Sequence, residues 1–128
     1  MAANTPVIWT PTGMVGVRLD EVLQLVASLY SGASTFRGRR WQVSLTNSFP
    51  ASSTNVRYDT QARAADGRSQ GEQWLEVPLA LLNLAAGTAY YISCMDTNNA
   101  DEASSWATSI TFTTYADPFT GAVFVAGQ

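Results

Sequence analysis

The chain has 128 residues, of which 46% are hydrophobic and 11% aromatic, so it is long and apolar enough for one domain with a real core. Its net charge of −3 argues against a nucleic-acid partner, which would require a basic face on the protein. Histidine is absent, which excludes histidine general bases, His-ligated zinc and Ser-His-Asp triads. The single cysteine, Cys94, excludes an intrachain disulfide. We therefore expect a non-enzymatic protein without cofactors.

The sequence shows no targeting or membrane segment. The N-terminus lacks the basic region and the long apolar run of a secretion signal. The longest apolar stretches, such as Pro78–Ala86, are far shorter than the roughly 18 residues that span a bilayer. We expect a complete, soluble chain that is made in a cytoplasm and has no membrane partner.

Residues 1–14 are predicted to form an extended arm or an edge strand. Pro6 and Pro11 disfavour a helix and suit an extended segment. Between these prolines lies a short apolar run, Val7, Ile8 and Trp9.

The next stretch, up to Leu29, fits two periodicities. Leu23, Leu25 and Ala27 alternate with their neighbours, as in a strand with one buried face. A helix is the alternative, because apolar residues also recur with a period near 3.6 at Leu19, Val22, Leu23, Val26 and Leu29. The flanking glycines and the strand-rich remainder of the chain favour the strand.

The remainder of the sequence is typical of short strands separated by polar loops. Ser31–Arg40 is predicted to be a loop, and Trp41–Leu45 a strand that buries Trp41. Further strands are predicted at Val56–Thr60, Trp74–Val77, Thr88–Met95 and Trp106–Thr114, with loops at 47–55, 61–73 and 96–105 and a helical turn within 79–86. The pattern predicts an all-β sandwich of two sheets.

The segment from Leu84 to Cys94 resembles the corner between strands E and F of fibronectin type III domains. In this resemblance Leu84 closes the bottom of the core, Gly87 permits the tight turn, and Tyr90 folds back to hydrogen-bond the backbone. The proline that usually follows the leucine is replaced by Ala86.

Two other segments are similar to the same family. Ser105 through Thr114 looks like its last strand, and Ser34 through Val43 looks like the start of its third strand. The resemblance implies a fibronectin type III-like, or Ig-like, sandwich over residues 15–114, with extended arms at 1–14 and 115–128. It implies no common active site, because the family carries none.

Three candidate sites come from polar residues. The predicted loop carries three arginines, Arg37, Arg39 and Arg40. They either bind a carboxylate of a partner through bidentate hydrogen bonds or neutralise acidic residues of the chain itself. Cys94, on the same strand face as Tyr90, is predicted to be a small buried hydrophobe. It is not expected to be a reactive nucleophile, because no neighbouring His or Lys lowers its pKa. The last hairpin loop contains oxygen ligands of the type that calcium takes, at Asp96, Asn98, Asp101 and Glu102. Their spacing matches no EF-hand loop, and the same residue types are common in hairpin turns.

Both ends of the chain carry apolar residues beyond the predicted sandwich. Such ends either complete their own sandwich or bury against a partner. The predicted partner interface therefore combines Val7, Ile8 and Trp9 with the three arginines and with four residues near the C-terminus, Phe119, Val123, Phe124 and Val125.

Fibronectin type III-like domains are often displayed on bacteriophage virion proteins. The chain also lacks a catalytic constellation, carries little charge and has apolar ends. Together with this resemblance, these features lead to the hypothesis that it is a capsid decoration (cement) protein on the virion surface. Its partners would be the major capsid protein and further copies of itself. The alternative is a glycan- or surface-binding module of a phage tail or adhesin, with candidate aromatic platforms at Trp9, Trp74, Tyr91 and Trp106. Trp74 and Trp106 are equally candidates for the core.

Overall fold

A computed structural model describes residues 3–10, 13–60 and 74–116. Within them the chain forms eight strands and one 3-10 turn. The strands are β1 (Ile8–Thr10), β2 (Met14–Val17), β3 (Val22–Ala27), β4 (Phe36–Ser44), β5 (Val56–Asp59), β6 (Trp74–Pro78), β7 (Ala89–Asn98) and β8 (Ile110–Thr114), and the turn is Leu79–Leu81. No helix of the described residues is long and apolar enough to cross a membrane.

The strands form two sheets that enclose one core. The three-stranded sheet has the order β1-β3-β6, and the five-stranded sheet has the order β2-β8-β7-β4-β5. All neighbouring strands are antiparallel except β2 and β8, which are parallel. The chain passes from the edge of one sheet, β1, to the edge of the other, β2. The expected all-β sandwich is confirmed.

β3 settles the choice between strand and helix for the segment after Val15. It pairs with β6 through five successive Cα partners, from Val22 opposite Pro78 to Val26 opposite Trp74. Its core-facing residues are the alternating Leu23, Leu25 and Ala27, all buried. The period of two therefore describes this segment, and the helical period is coincidental.

β4 begins earlier than the sequence predicts. Ser31–Arg40 was expected to be a loop, but the strand already starts at Phe36, which lies opposite Asn98 of β7. The reason is long-range pairing, because β7 extends to Asn98 and provides hydrogen-bond partners for a polar stretch of β4. The last strand begins later than expected, at Ile110 instead of Trp106.

The core lies between the two sheets. Trp41 and Val43 of β4 face it, as the alternation predicts, with 3% and 1% of their surfaces exposed. Both sheets and the 3-10 turn contribute to the remainder of the cluster, which includes Ile8, Val17, Leu23, Leu25, Ala27, Val77, Leu79, Leu82, Leu84, Tyr90, Ile92, Cys94, Ala107 and Phe112.

A buried tyrosine fixes the corner before β7. The Ala85 backbone N–H donates to the Tyr90 hydroxyl over 2.7 Å, and the Tyr90 ring stacks on Phe112 with centroids 5.7 Å apart. Gly87 adopts φ +60, and a Cβ there would come within 3.0 Å of the Ala116 side chain. The corner therefore has the hydrogen bond and the glycine that the sequence predicts.

Tyr90→Phe should lower the free energy of unfolding by about 1–3 kcal/mol, because the Ala85 N–H loses its acceptor while the ring stack remains. Urea denaturation followed by tryptophan fluorescence measures the change. Tyr91→Phe is the matched control, because this half-buried ring lies on the opposite face of β7. Equal stability of both variants and the wild type would contradict the role of the Tyr90 hydroxyl.

Candidate partner-binding surface

The three arginines of the predicted interface lie on β4 and not on a loop. Arg39 and Arg40 lie opposite Asp96 and Met95 of β7. Each of the three guanidinium groups forms an ion pair with an acid of the same chain: Arg37 with Asp101, Arg39 with Asp96 and Arg40 with Asp59. A carboxylate from a partner would have to displace these acids.

The Arg39–Asp96 pair is buried between strands. The Arg39 side chain is 9% exposed and that of Asp96 is 1% exposed. Arg39 Nε donates to one carboxylate oxygen over 2.6 Å and Nη2 donates to the other over 2.9 Å. Nη2 also donates to the Ser28 carbonyl oxygen, and the Asp96 N–H donates to the Ser104 hydroxyl. The pair therefore links β4, β7 and the segment after β3.

Arg40 forms part of a second polar cluster on the outer face of the five-stranded sheet. Its guanidinium donates to both Asp59 oxygens over 2.8 and 2.6 Å and lies 5.5 Å from the centroid of the Trp106 ring. Trp106 also packs against Phe49, with ring centroids 5.6 Å apart. The Gln42 amide donates to Asp59 as well. The Trp106 ring is thus held between Arg40 and Phe49 of its own chain.

The hydrogen bonds from Arg40 keep the pKa of Asp59 below its ordinary value, against the opposing effect of partial burial. A carboxylate whose pKa is lower in the folded state stabilises the fold at neutral pH. This contribution disappears as the pH falls through the folded-state pKa.

Val7, Ile8 and Trp9 separate into two sets. Ile8 is buried in the core, whereas Val7 is 61% and Trp9 53% exposed. The segment is held in place, because the Ser28 N–H donates to the Val7 carbonyl oxygen over 2.8 Å and the Val7 N–H donates to the Ser28 hydroxyl over 2.9 Å. Trp9 is thus a side chain of an ordered edge strand, and Val7 directly precedes that strand.

The outer face of the three-stranded sheet is apolar at several positions. β3 turns Val22, which is 55% exposed, and the half-buried Val26 to this face. Thr10 of β1 lies opposite Val26, which brings β1 alongside. We call Val7, Trp9, Val22 and Val26 the Trp9 surface.

The Trp9 surface is almost without charge. Residues 1–17 contain no charged side chain, and Glu76 is the single charged residue in β1, β3 and β6. The sequence pattern could have revealed Val22 and Val26, because β3 has apolar residues on both of its faces, which a strand with one solvated face does not require.

The backbone edge beside this surface is poorly suited to adding another strand. Pro6 lacks an N–H, and the pairing of β1 with β3 shifts register between Ile8 and Thr10. In β2, Gly16 adopts φ +69 where the register with β8 shifts. Prolines and bulges at edges oppose strand addition. Binding through side chains is therefore favoured over the addition of a partner's strand at these edges.

The other predicted residues carry no site in the described chain. Phe119, Val123, Phe124 and Val125 lie outside the described residues. No group of three or more His, Cys, Asp or Glu side chains suited to a metal ion occurs among residues 3–10, 13–60 and 74–116. Asp96 is instead engaged with Arg39, and the Asn98 side chain binds the loop backbone.

Cys94 is buried in the core, as predicted. Its burial raises the pKa of the thiol to about 12, with a smaller opposing effect of Arg39. At neutral pH the side chain is therefore a protonated thiol and a poor nucleophile.

Comparison with known proteins identifies the type of fold. The sequence matches no protein-family model and no curated protein. Among solved structures it is similar to the fibronectin(III)-like modules of Clostridium thermocellum CbhA, with a TM-score of 0.57 and 15% identity, over 88% of this chain and 98% of that one. The chain therefore has a fibronectin III-like fold, which is typically that of a non-catalytic module.

Asp96→Ala should lower the free energy of unfolding by about 3–5 kcal/mol, because it leaves the Arg39 guanidinium buried without a carboxylate. Thermal and urea denaturation measure this loss. Asp20→Ala is the control, since the Arg18–Asp20 pair lies at the surface and its loss should change stability little. Similar losses in both variants would contradict the structural role of the buried pair.

The contribution of Asp59 should depend on pH. At pH 7 we expect Asp59→Asn to be less stable than the wild type, because it loses the charged pair with Arg40. The difference should narrow once the pH falls below the ordinary aspartate pKa of about 3.9, because the unfolded wild-type chain then takes up a proton that the folded chain takes up only at lower pH. Urea denaturation of both proteins at pH 7, 5 and 3 tests this expectation. A difference that is constant across these values would contradict it.

Proposed function

We propose that this protein is a non-enzymatic structural protein of a phage virion, a capsid decoration (cement) protein that binds the major capsid protein through the Trp9 surface. The observation that carries the proposal is the exposure of Val7, Trp9 and Val22 on a sheet whose three strands contain a single charged residue, Glu76. Large exposed apolar patches on a folded domain mark interaction surfaces.

Burial of apolar area provides the driving force for this binding. Transfer of apolar surface out of water is worth about 25 cal/mol per Å², and tryptophan is among the residues that most often dominate an interface. The surface is already ordered, because Ser28 holds β1 and β6 flanks β3. Binding therefore costs little conformational entropy, which favours affinity.

A capsid suits such a module because it repeats the same surface many times. A single contact by the Trp9 surface is small beside the roughly 800 Å² per partner of a standard interface. Contacts to neighbouring capsid subunits would add to it, and each bound copy would then hold those subunits together. The Tyr90 corner and the last strand resemble those of fibronectin type III domains, which phage virion proteins often display, and this supports the choice of partner.

The glycan-binding alternative rests on fewer aromatic platforms than the sequence suggested. Trp41 is buried in the core, and Trp106 is held between Arg40 and Phe49. Trp9 remains as an exposed ring. Among the tryptophan side chains that the structure describes, Trp9 is therefore the exposed one, and this favours a protein surface over a sugar.

Trp9→Ser should weaken binding to capsids at least tenfold, because it removes the largest apolar side chain of the surface. The measurement is cosedimentation of the purified protein with heads of the encoding phage that were assembled without it. Tyr115→Ser is the matched control, since Tyr115 is also a partly exposed aromatic residue but follows the end of β8.

Both variants should keep the wild-type melting temperature. Loss of binding in Trp9→Ser with wild-type binding in Tyr115→Ser is the expected result. Equal binding by all three proteins would contradict the Trp9 surface as the contact. Failure of the wild type to bind heads would contradict the capsid proposal, and binding to a glycan array that Trp9→Ser abolishes would support the alternative.

A further inference from the structure

The 3-10 turn presents an unusually exposed leucine at the end of the sandwich where β3 begins. Leu79 of this turn is 1% exposed and belongs to the core, whereas Leu81 is 78% exposed. The turn is fixed by two hydrogen bonds, from the Leu79 N–H to the Glu21 carbonyl oxygen and from the Leu82 N–H to the Leu79 carbonyl oxygen, both 3.0 Å. Leu81 is thus held outward by an ordered backbone.

A cleft of about 310 Å³ lies beside this leucine. Its apolar lining consists of Leu19, Leu79, Ala80 and Leu84. Asp20 and Asn83 complete the lining with polar groups. The cleft exceeds the volume of one leucine side chain. Leu81 itself is not among its lining residues, so the protruding side chain and the cleft are separate features of the same end.

Opposite charges lie at this end as well. Arg18 Nε and Nη2 donate to the two Asp20 oxygens over 3.1 and 3.0 Å, and the two side chains are 62% and 67% exposed. A cation and an anion are therefore offered side by side, and Asp20 also lines the cleft. A surface with these charges is complementary to a copy of itself that is rotated by a half turn.

We propose that two copies of this chain associate about a two-fold axis at this end, with Leu81 of each copy in the cleft of the other and Arg18 of each facing Asp20 of the other. A two-fold interface must be self-complementary, since each contact occurs twice with the roles exchanged. The protruding leucine, the cleft and the charge pair fulfil this requirement within one small region. A second copy satisfies all three features together, which makes it the occupant that they favour. This proposal is independent of the capsid-binding function.

Leu81→Ala should raise the dissociation constant of the dimer at least tenfold, because it removes the side chain that fills the cleft. Sedimentation equilibrium of the full chain from micromolar to millimolar concentration measures the constant. Leu29→Ala is the matched control, since Leu29 is 47% exposed but follows the opposite end of β3. It should dimerise as the wild type does, and the melting temperatures of both variants confirm that each is folded.

The charges permit a second, independent measurement. Arg18→Asp leaves acidic side chains alone at positions 18, 20 and 21, and Asp20→Arg places two arginines beside Glu21. Like charges then face each other in either homodimer, so each variant alone should be monomeric at concentrations where the wild type is a dimer. An equimolar mixture of the two variants should form a heterodimer, because the acidic side chains of one chain face the arginines of the other. The heterodimer should weaken as salt is added.

Three results would overturn the proposal. One is a wild-type chain that stays monomeric up to millimolar concentration. Another is a dimer that Leu81→Ala leaves unchanged, which would place the contact on the Trp9 surface or on residues 117–128. The third is a mixture of the two charge variants that remains monomeric. None of these results bears on capsid binding by the Trp9 surface, which is measured separately.

Discussion

The pairing of β4 with β7 is the constraint on which most of this structure depends. Eight Cα partners join the two strands, from Phe36 opposite Asn98 to Ser44 opposite Tyr91. This register turns Trp41 and Val43 into the core and places Arg39 against Asp96. Because a shift by one residue would move every side chain to the other face, the core and the buried ion pair define the same register and reinforce each other.

The same pairing has consequences for binding. The arginines, which would otherwise give an acidic protein a cationic patch, are engaged by Asp59, Asp96 and Asp101. The exposed large hydrophobic side chains of the described residues include those of the Trp9 surface and Leu81. Specificity in such a module would arise from shape and burial more than from charge.

The sequence was a good guide where local periodicity determines structure. The alternation of Leu23, Leu25 and Ala27 predicted β3, the run from Trp41 predicted a buried strand, and the Tyr90 corner has the predicted hydrogen bond. Each of these features depends on residues within a few positions of one another. The separation of Val7 and Trp9 from Ile8 also follows the alternation of a strand.

Where distant residues decide, local patterns were misleading. The polar stretch before Trp41 looked like a loop because its pairing partners lie more than fifty residues later, in β7. Its counter-charges are also distant in sequence, at Asp59, Asp96 and Asp101. Trp106 looked like the first residue of a strand and either an aromatic platform or a core residue. Its neighbours Arg40 and Phe49 come from β4 and the loop after it, and no local signal identifies them.

The burial of Cys94 makes the protein suitable for site-specific chemical labelling at a second, introduced cysteine. A thiol with a pKa of about 12, enclosed in the core, does not compete for reagents that modify cysteine at neutral pH. A single cysteine introduced at an exposed position such as Val15 would then be the one reactive thiol among the described residues. Fluorophores, cross-linkers or peptide antigens could be attached there with defined stoichiometry, and the chain could be oriented on a surface without redesign of its core.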